Sequence, residues 1–372
     1  MNEIAMNPLR QVHQLGQSLW LDDIRRGWLR DGHLARLIAE DAVAGVTSNP
    51  AIFAKSISEG AEYNDGIASL ARAGRSIDQI YETLALEDVQ AAADLFRSTY
   101  TTSEGADGYV SLEVSPNLAD DTKGTIAEGL RLWQAFNRPN AMIKVPGTEA
   151  GLPAITELIA AGVNLNVTLL FSVERYRAVV DAYLTGLEQR GAAGKPIDKI
   201  ASVASFFLSR IDTLVDAKLD AFTTYEAKAR RGRAAIASAK LAYQYYKQWT
   251  SSPRWQALAA NRVRPQRLLW ASTSSKDPAY KDTMYVEALI APNTVNTLPP
   301  ATVDAYRDHG DPAVRIEEDV ADAKQTVQIL RGMGIDLNAV SQQLEREGVK
   351  KFKEPFDALL ATLKQRAAAV TR

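Results

Sequence analysis

Lys144 sits in the run Ala141-Met142-Ile143-Lys144-Val145-Pro146, a single ionisable side chain between apolar neighbours. A lysine is almost never buried without a partner. It is therefore either a structural lysine, paired with a carboxylate or reaching back to the surface, or an amine kept there for chemistry. The chemistry open to it is imine formation. Desolvation or a neighbouring cation lowers an amine pKa toward neutrality, and the free base can then attack a carbonyl carbon. Competing nucleophiles and ligands are scarce: the chain has no cysteine and three histidines, His13, His33 and His309, none in an apolar strand-like segment. No histidine pair has the helical spacing of a metal site. An imine route needs a base for a substrate hydroxyl and a group that handles water as carbinolamine becomes imine. Asp22 and Glu113, each closing an apolar segment, are placed for these two roles. Asp23 reads more simply as a helix N-cap or a solvated acid.

Eight short apolar or β-branched segments must position these groups: residues 18–24, 45–49, 109–115, 141–146, 165–171, 201–208, 267–272 and 294–298. Helical periodicity fills residues 77–100, 122–137, 148–161, 173–190 and 209–221; in the second, Ile126, Leu130, Trp133 and Phe136 make one apolar face. Strands alternating with helices imply parallel pairing, and eight such units close into a (β/α)8 TIM barrel. An open doubly wound sheet is the alternative, but no GxGxxG or GxxxxGK turn follows any of the segments. Barrel enzymes build their sites at the C-terminal ends of the strands. There stand Asp22 and Asp23, then Thr47-Ser48-Asn49, Glu113 with Ser115, Lys144, Asn166 and Thr168, Ser205 with Arg210, and Ser272. One such polar residue could be structural; a ring of them is better explained by a shared polar pocket.

The 372 residues are 46% hydrophobic and 24% charged, enough apolar material for one α/β domain spanning residues 1–372. Helical insertions are expected at about 51–108 and 222–266, with a helical segment at about 317–372 carrying an apolar stripe of Phe356, Leu359, Leu360 and Leu363. The net charge of −2 supplies no global field for nucleic acid or a membrane surface. Residues 1–17 lack the apolar core of a signal peptide, and no run approaches the roughly 18 apolar residues that span a bilayer. With no cysteine, the expectation is a cytoplasmic protein. Residues 222–267 carry ten Lys or Arg against one acid, Glu226, together with Tyr243, Tyr245, Tyr246, Trp249 and Trp255. Cations and aromatics are what single-stranded nucleic acid uses. The helical spacing of Leu241, Tyr245 and Trp249 favours instead a packed helix with its charges in water, and no nucleic-acid partner is expected.

Five blocks carry a family resemblance: residues 45–53 (Gly-Val-Thr-Ser-Asn-Pro-Ala-Ile-Phe), 111–115 (Ser-Leu-Glu-Val-Ser), 143–146 (Ile-Lys-Val-Pro), 162–172 (Gly-Val-Asn-Leu-Asn-Val-Thr-Leu-Leu-Phe-Ser) and 204–212 (Ala-Ser-Phe-Phe-Leu-Ser-Arg-Ile-Asp). In strand order, from about Leu15 to Phe356, they resemble the transaldolases, and the length is similar to the larger bacterial members. The resemblance implies cofactor-free transfer of a dihydroxyacetone unit between sugar phosphates, in the non-oxidative pentose phosphate pathway. Donors would be sedoheptulose 7-phosphate or fructose 6-phosphate, acceptors glyceraldehyde 3-phosphate or erythrose 4-phosphate. It makes Lys144 the Schiff-base lysine, Asp22 the acid/base for C–C cleavage, and Glu113 with Thr168 the pair that activates water. Asn49, Asn166 and Ser205 would hydrogen-bond the three-carbon unit. Phe207, lacking a hydroxyl, would keep water from releasing that unit, where a Tyr leans toward a fructose 6-phosphate aldolase. Arg210 and Ser272 would bind phosphate. The compact members have an arginine where this chain has Ser274; Lys276 stands near enough to supply the charge. The resemblance leaves the oligomeric state open.

Overall fold

The computed structural model describes residues 7–370, so for residues 1–6 the reading of the N-terminal stretch lies outside the described residues. All eight expected segments form strands: β1 (Gln17–Leu21), β2 (Val43–Val46), β3 (Tyr109–Glu113), β4 (Ala141–Pro146), β5 (Leu165–Leu170), β6 (Ser202–Phe207), β7 (Arg267–Ala271) and β8 (Thr294–Leu298). Each pairs in parallel with the next, and β8 returns to β1 from Gln17 opposite Thr294 to Leu21 opposite Leu298. That last pairing closes the barrel and rules out the open sheet. Every residue of β1, β2, β4, β5, β6 and β8 is buried, as expected of parallel strands covered by helices outside and side-chain layers inside.

Several strands end sooner than the apolar runs suggest, because the polar residues after them turn to serve the loops. Asn49 leaves β2 to cap the helix Pro50–Glu59, its side chain accepting from the Ile52 N–H. Ser115 likewise caps the short turn Pro116–Leu118. These caps satisfy helix donors that would otherwise lack partners.

Residues 51–108 hold the extra helices expected there: Pro50–Glu59, Asn64–Arg72, Ile77–Leu95 and Arg97–Thr102. The continuous helix expected at 77–100 is interrupted at Phe96, a fully buried residue whose N–H closes back on the Ala92 carbonyl. The C-terminal part is two helices, Val320–Gly332 and Leu337–Val370, not one; the Ile335 N–H bonds the Leu330 carbonyl at 2.8 Å and ends the first. Along the second, Phe352, Phe356, Leu359 and Leu363 are buried, whereas Leu360 is half-buried.

The basic segment forms helices Tyr225–Ala229, Ala234–Thr250 and Pro253–Ala259. The middle helix buries Ala235, Ala239, Ala242, Tyr246 and Trp249, while Leu241 and Tyr245 stay half-buried. The buried stripe therefore differs from the one read through Leu241 and Tyr245. Alanines let this helix approach its neighbours closely, and a search for large apolar residues passes over them. Its aromatics pack on one another: Tyr246 on Trp249, and Trp249 on Trp255, at ring distances of 5.6 and 5.1 Å. They are spent on the core and are not presented as a stacking platform.

Candidate active site

The parallel register sets Glu113, Lys144 and Asn166 side by side on β3, β4 and β5. Lys144 is 4% exposed. Its Nζ donates to the Ser48 carbonyl at 3.0 Å and lies 3.2 Å from Glu113 Oε2. The lysine thus has the carboxylate partner that burial demands, and among the described residues that oxygen of Glu113 has no other donor. Burial pushes the Glu113 carboxyl above the ordinary glutamate range; Lys144 opposes the rise and Asp22 adds to it. Across the strand, Thr168 Oγ1 is buried with no hydrogen-bond partner among the described residues. A break in register between Val167 and Leu170, with Leu169 at φ +65°, distorts β5 beside it. Strained backbone and unpaired polar atoms concentrate where a protein holds something else.

Asp22 leaves β1 with its N–H on the Leu298 carbonyl, and its carboxylate accepts from Thr47 Oγ1 at 2.9 Å. Thr47 in turn lies 2.7 Å from Thr297 Oγ1. The Asp22 pKa is raised chiefly by burial, with Lys144, the Thr47 bond and Arg210 all acting against the rise. Asp23 is neither an N-cap nor a solvated acid: it is largely buried and takes both Nε and Nη2 of Arg25, at 3.0 and 2.7 Å. Arg25 is two residues away, and only the turn after β1 brings its fork back.

A cavity of about 160 Å³ opens at the C-terminal ends of the strands, its walls including Asp22, Lys144, Thr168, Phe207, Arg210 and Lys276. Asn49, Ser205, Ser272 and Ser274 also line it. Two expected members stand back from it. Asn166 is fully buried, its amide donating to Ser111 Oγ at 3.1 Å and its carbonyl oxygen accepting from Ser205 Oγ at 2.7 Å, so it braces Ser205 from below. Glu113 borders a separate cavity of about 200 Å³ between β3, two flanking helices and the C-terminal helix, and reaches the amine from behind.

At the far end, the Arg210 guanidinium lies between the rings of Phe207 and Phe352, 5.3 and 5.8 Å from their centroids. Its Nη1 is buried with no hydrogen-bond partner among the described residues, and burial lowers its pKa. Ser272, at φ +55°, shares a 2.7 Å hydroxyl contact with Ser209 at the start of the helix Ser209–Leu219. Lys276 Nζ donates to Ser274 Oγ at 2.6 Å; burial, and next the Arg210 charge, lower its pKa. Two cations, half-buried Arg210 and exposed Lys276, thus line the cavity together with the Lys144 amine and the Asp22 carboxyl.

Sequence reasoning missed Phe352. It comes from the C-terminal helix, and its ring lies 5.7 Å from Lys144 Nζ. The helix passes the barrel mouth at Gly348, where a Cβ would stand 2.9 Å from Leu169 Cδ2 and 3.5 Å from Arg210 Nη1. The one signal in the sequence is spacing, since Phe352 lies one helical turn before Phe356 on the same stripe. Thr297 was also passed over, although it lines the cavity from β8, a strand with three polar residues of five.

Fold and site together define a (β/α)8 enzyme scaffold whose pocket is built around a buried lysine amine. The family model described as Transaldolase/Fructose-6-phosphate aldolase matches residues 19–363, and the chain belongs to this family. It is similar to a protein named Transaldolase from Trichodesmium erythraeum, 48% identical over 99% of this chain and 100% of that one. Its similarity to the Transaldolase of Saccharopolyspora erythraea is 50% over 96% of this chain and 97% of the other. For the Transaldolase of Thermobifida fusca the identity is 50%, over 98% of this chain and 100% of that one.

Proposed function

We propose that this chain is a transaldolase, transferring a dihydroxyacetone unit from a ketose phosphate to an aldose phosphate through an imine at Lys144. The single observation that carries the mechanism is an amine 4% exposed, 3.2 Å from Glu113, on the wall of a cavity it shares with Asp22. Family membership and near 50% identity to proteins named Transaldolase support the reaction class.

The Lys144 amine attacks the ketose C2 carbonyl. Glu113, whose burial favours the protonated acid, gives a proton as the carbinolamine loses water, and Thr168 holds that water. Asp22 then takes the proton of the C4 hydroxyl, the C3–C4 bond breaks, its electrons neutralise the iminium to an enamine, and the shortened aldose phosphate leaves. The enamine carbon attacks the acceptor aldehyde, Asp22 returns the proton to the new alkoxide, and water hydrolyses the imine. Asn49 and Ser205 hold the three-carbon unit, with Asn166 fixing Ser205. Arg210, Ser272 and Lys276 hold phosphate, the arginine through its planar fork. Sugar phosphates are then its substrates, the non-oxidative pentose phosphate pathway its setting and the cytoplasm its location; among the described residues no helix is long and apolar enough to cross a membrane. Residues 1–372 act as one domain, insertions included.

The second reading, a fructose 6-phosphate aldolase that releases dihydroxyacetone, shares the lysine and the barrel. Phe207 favours transfer: it packs on Phe171 with 5.3 Å between ring centroids and the rings tilted at 46°, and gives the enamine an apolar wall. The test is incubation with fructose 6-phosphate and erythrose 4-phosphate, with and without borohydride. Sedoheptulose 7-phosphate should form, and borohydride should fix the donor carbons on Lys144. Dihydroxyacetone without the seven-carbon product selects the aldolase, and a label on another lysine, or none, overturns the mechanism.

A further inference from the structure

Residues 272–283, between β7 and the next helical turn, form no strand or helix, yet they carry Lys276. Lys276 borders two hollows, the 160 Å³ substrate cavity and a second of about 380 Å³ behind it. The loop is fixed at its two ends, where Thr273 and Thr283 are fully buried and Thr273 Oγ1 donates to the Thr297 carbonyl at 3.0 Å, but residues 274–282 between them are half-buried or exposed. A lysine has a flexible four-carbon stem and a strongly hydrated head. Lys276 is exposed, and with Arg210 as a cationic neighbour its head stays toward the cavity only while its backbone is held.

Between the buried ends, two side chains of the loop supply that hold close to Lys276. Asp277, next to the lysine, accepts from Arg231 Nη2 at 3.1 Å, and its other oxygen takes the Ala279 N–H at 2.9 Å. Tyr280 donates to Asp216 Oδ2 at 2.7 Å, and Asp216 Oδ1 accepts the Gly232 N–H at 2.9 Å. Arg231 also pairs with Asp220. The Tyr280 ring packs where a side chain at residue 232 would be, with a Cβ there 2.8 Å from its Cζ. Asp216 and Asp220 belong to the end of the helix whose first turn carries Arg210. One helix therefore anchors both cations, Arg210 directly and Lys276 through Arg231, Gly232 and Tyr280.

We infer that Tyr280 and Asp277, clamped to Asp216 and Arg231, are positioning residues that hold Lys276 over the substrate phosphate, and that this is the task of the first turn of the basic insertion. The inference rests on the reading of Lys276 as a phosphate ligand. The clamp touches neither the amine nor the cleavage base, so its loss weakens phosphate binding and leaves bond breaking intact.

The experiment measures Ki for inorganic phosphate, KM for fructose 6-phosphate and kcat in Tyr280→Phe, Asp277→Asn, Lys276→Met and the double variants. Losing one clamp bond should raise Ki and KM about three- to ten-fold with kcat held within about two-fold. In the Lys276→Met background the same substitutions should add less than about two-fold, because they act through the missing side chain. Full additivity, or kcat falling with KM unchanged, overturns the clamp. Unchanged Ki in Lys276→Met removes Lys276 from the phosphate site itself. Raised Ki in that variant with wild-type values in both clamp variants leaves the phosphate reading standing and sinks the clamp. Two near-isosteric substitutions on separate bonds, compared with thermal unfolding, keep misfolding from imitating either result.

Discussion

Burial lifts the Asp22 carboxyl above the usual aspartate range, and the Thr47 hydroxyl bond pulls the other way because it favours the ionised form. Asp22 must be ionised to accept a proton, so its pKa sets the acid limb of kcat/KM. Thr47→Val removes a bond to the carboxylate, raises that pKa, and should move the acid limb to higher pH. A pH–rate profile checks it, and a limb that stays put or moves to lower pH removes Thr47 from the tuning of Asp22. Residues of this kind differ in how well a sequence shows them. Lys144, Glu113 and Asp22 are visible because charge interrupts apolar strands, where an unpaired ion is costly. Asn166 shows its direction but not its depth: strand alternation points it inward, and only the layering of the barrel puts it beneath Ser205. Phe352 is invisible, since an aromatic on an apolar stripe reads as core.

The C-terminal helix does more than cover the barrel. It passes close enough, at Gly348, to set Phe352 against both Lys144 and Arg210. Pro355, one turn on, lies inside the helix and removes one backbone donor from it. Phe352 is 5% exposed. Replacing it with Ala should cost about 3 kcal/mol of stability, and it should open a path for water to the enamine. The expected result is a larger share of fructose 6-phosphate turned over to free dihydroxyacetone relative to transfer. Product ratios test this, and an unchanged ratio in the folded variant would take Phe352 out of the wall. Periodicity located the helix Thr122–Phe136, but its buried stripe is Thr125, Gly129, Leu132 and Phe136, so of the face read through Ile126, Leu130, Trp133 and Phe136 only the last is fully buried and the others are half-buried. The buried stripe also differs at the alanine-faced helix Ala234–Thr250, and the helix boundary differs at Phe96, where neither Gly nor Pro marks the break.

Barrel closure is the most legible property of the molecule, because eight buried parallel strands have few other ways to satisfy their edges. The rigging outside the barrel is less so. Asp212, on the helix that carries Arg210, accepts from the Ala235 N–H and from Tyr285, each at 2.8 Å. Burial drives its pKa from the ordinary aspartate value up to about 7, with the Asp216 charge adding to the rise. The folded state thus holds the proton more tightly than the unfolded chain. The resulting stabilisation is complete below about pH 4 and is lost as pH climbs to about 7, a change of up to about 4 kcal/mol. Asp212→Asn should abolish this part of the slope. Urea unfolding of both proteins between pH 5 and 8 measures it, and parallel stability curves would refute the assignment. The helix Leu337–Val370 has one more consequence, which belongs to synthesis. Lys144 and its two carboxylates leave the ribosome well before Phe352, so a nascent chain can close its barrel while the amine still lies under an open mouth. Cellular aldehydes and water can reach it until the last helix docks, and translation that stalls before Gly348 would yield a protein able to capture a sugar but poorly able to keep it.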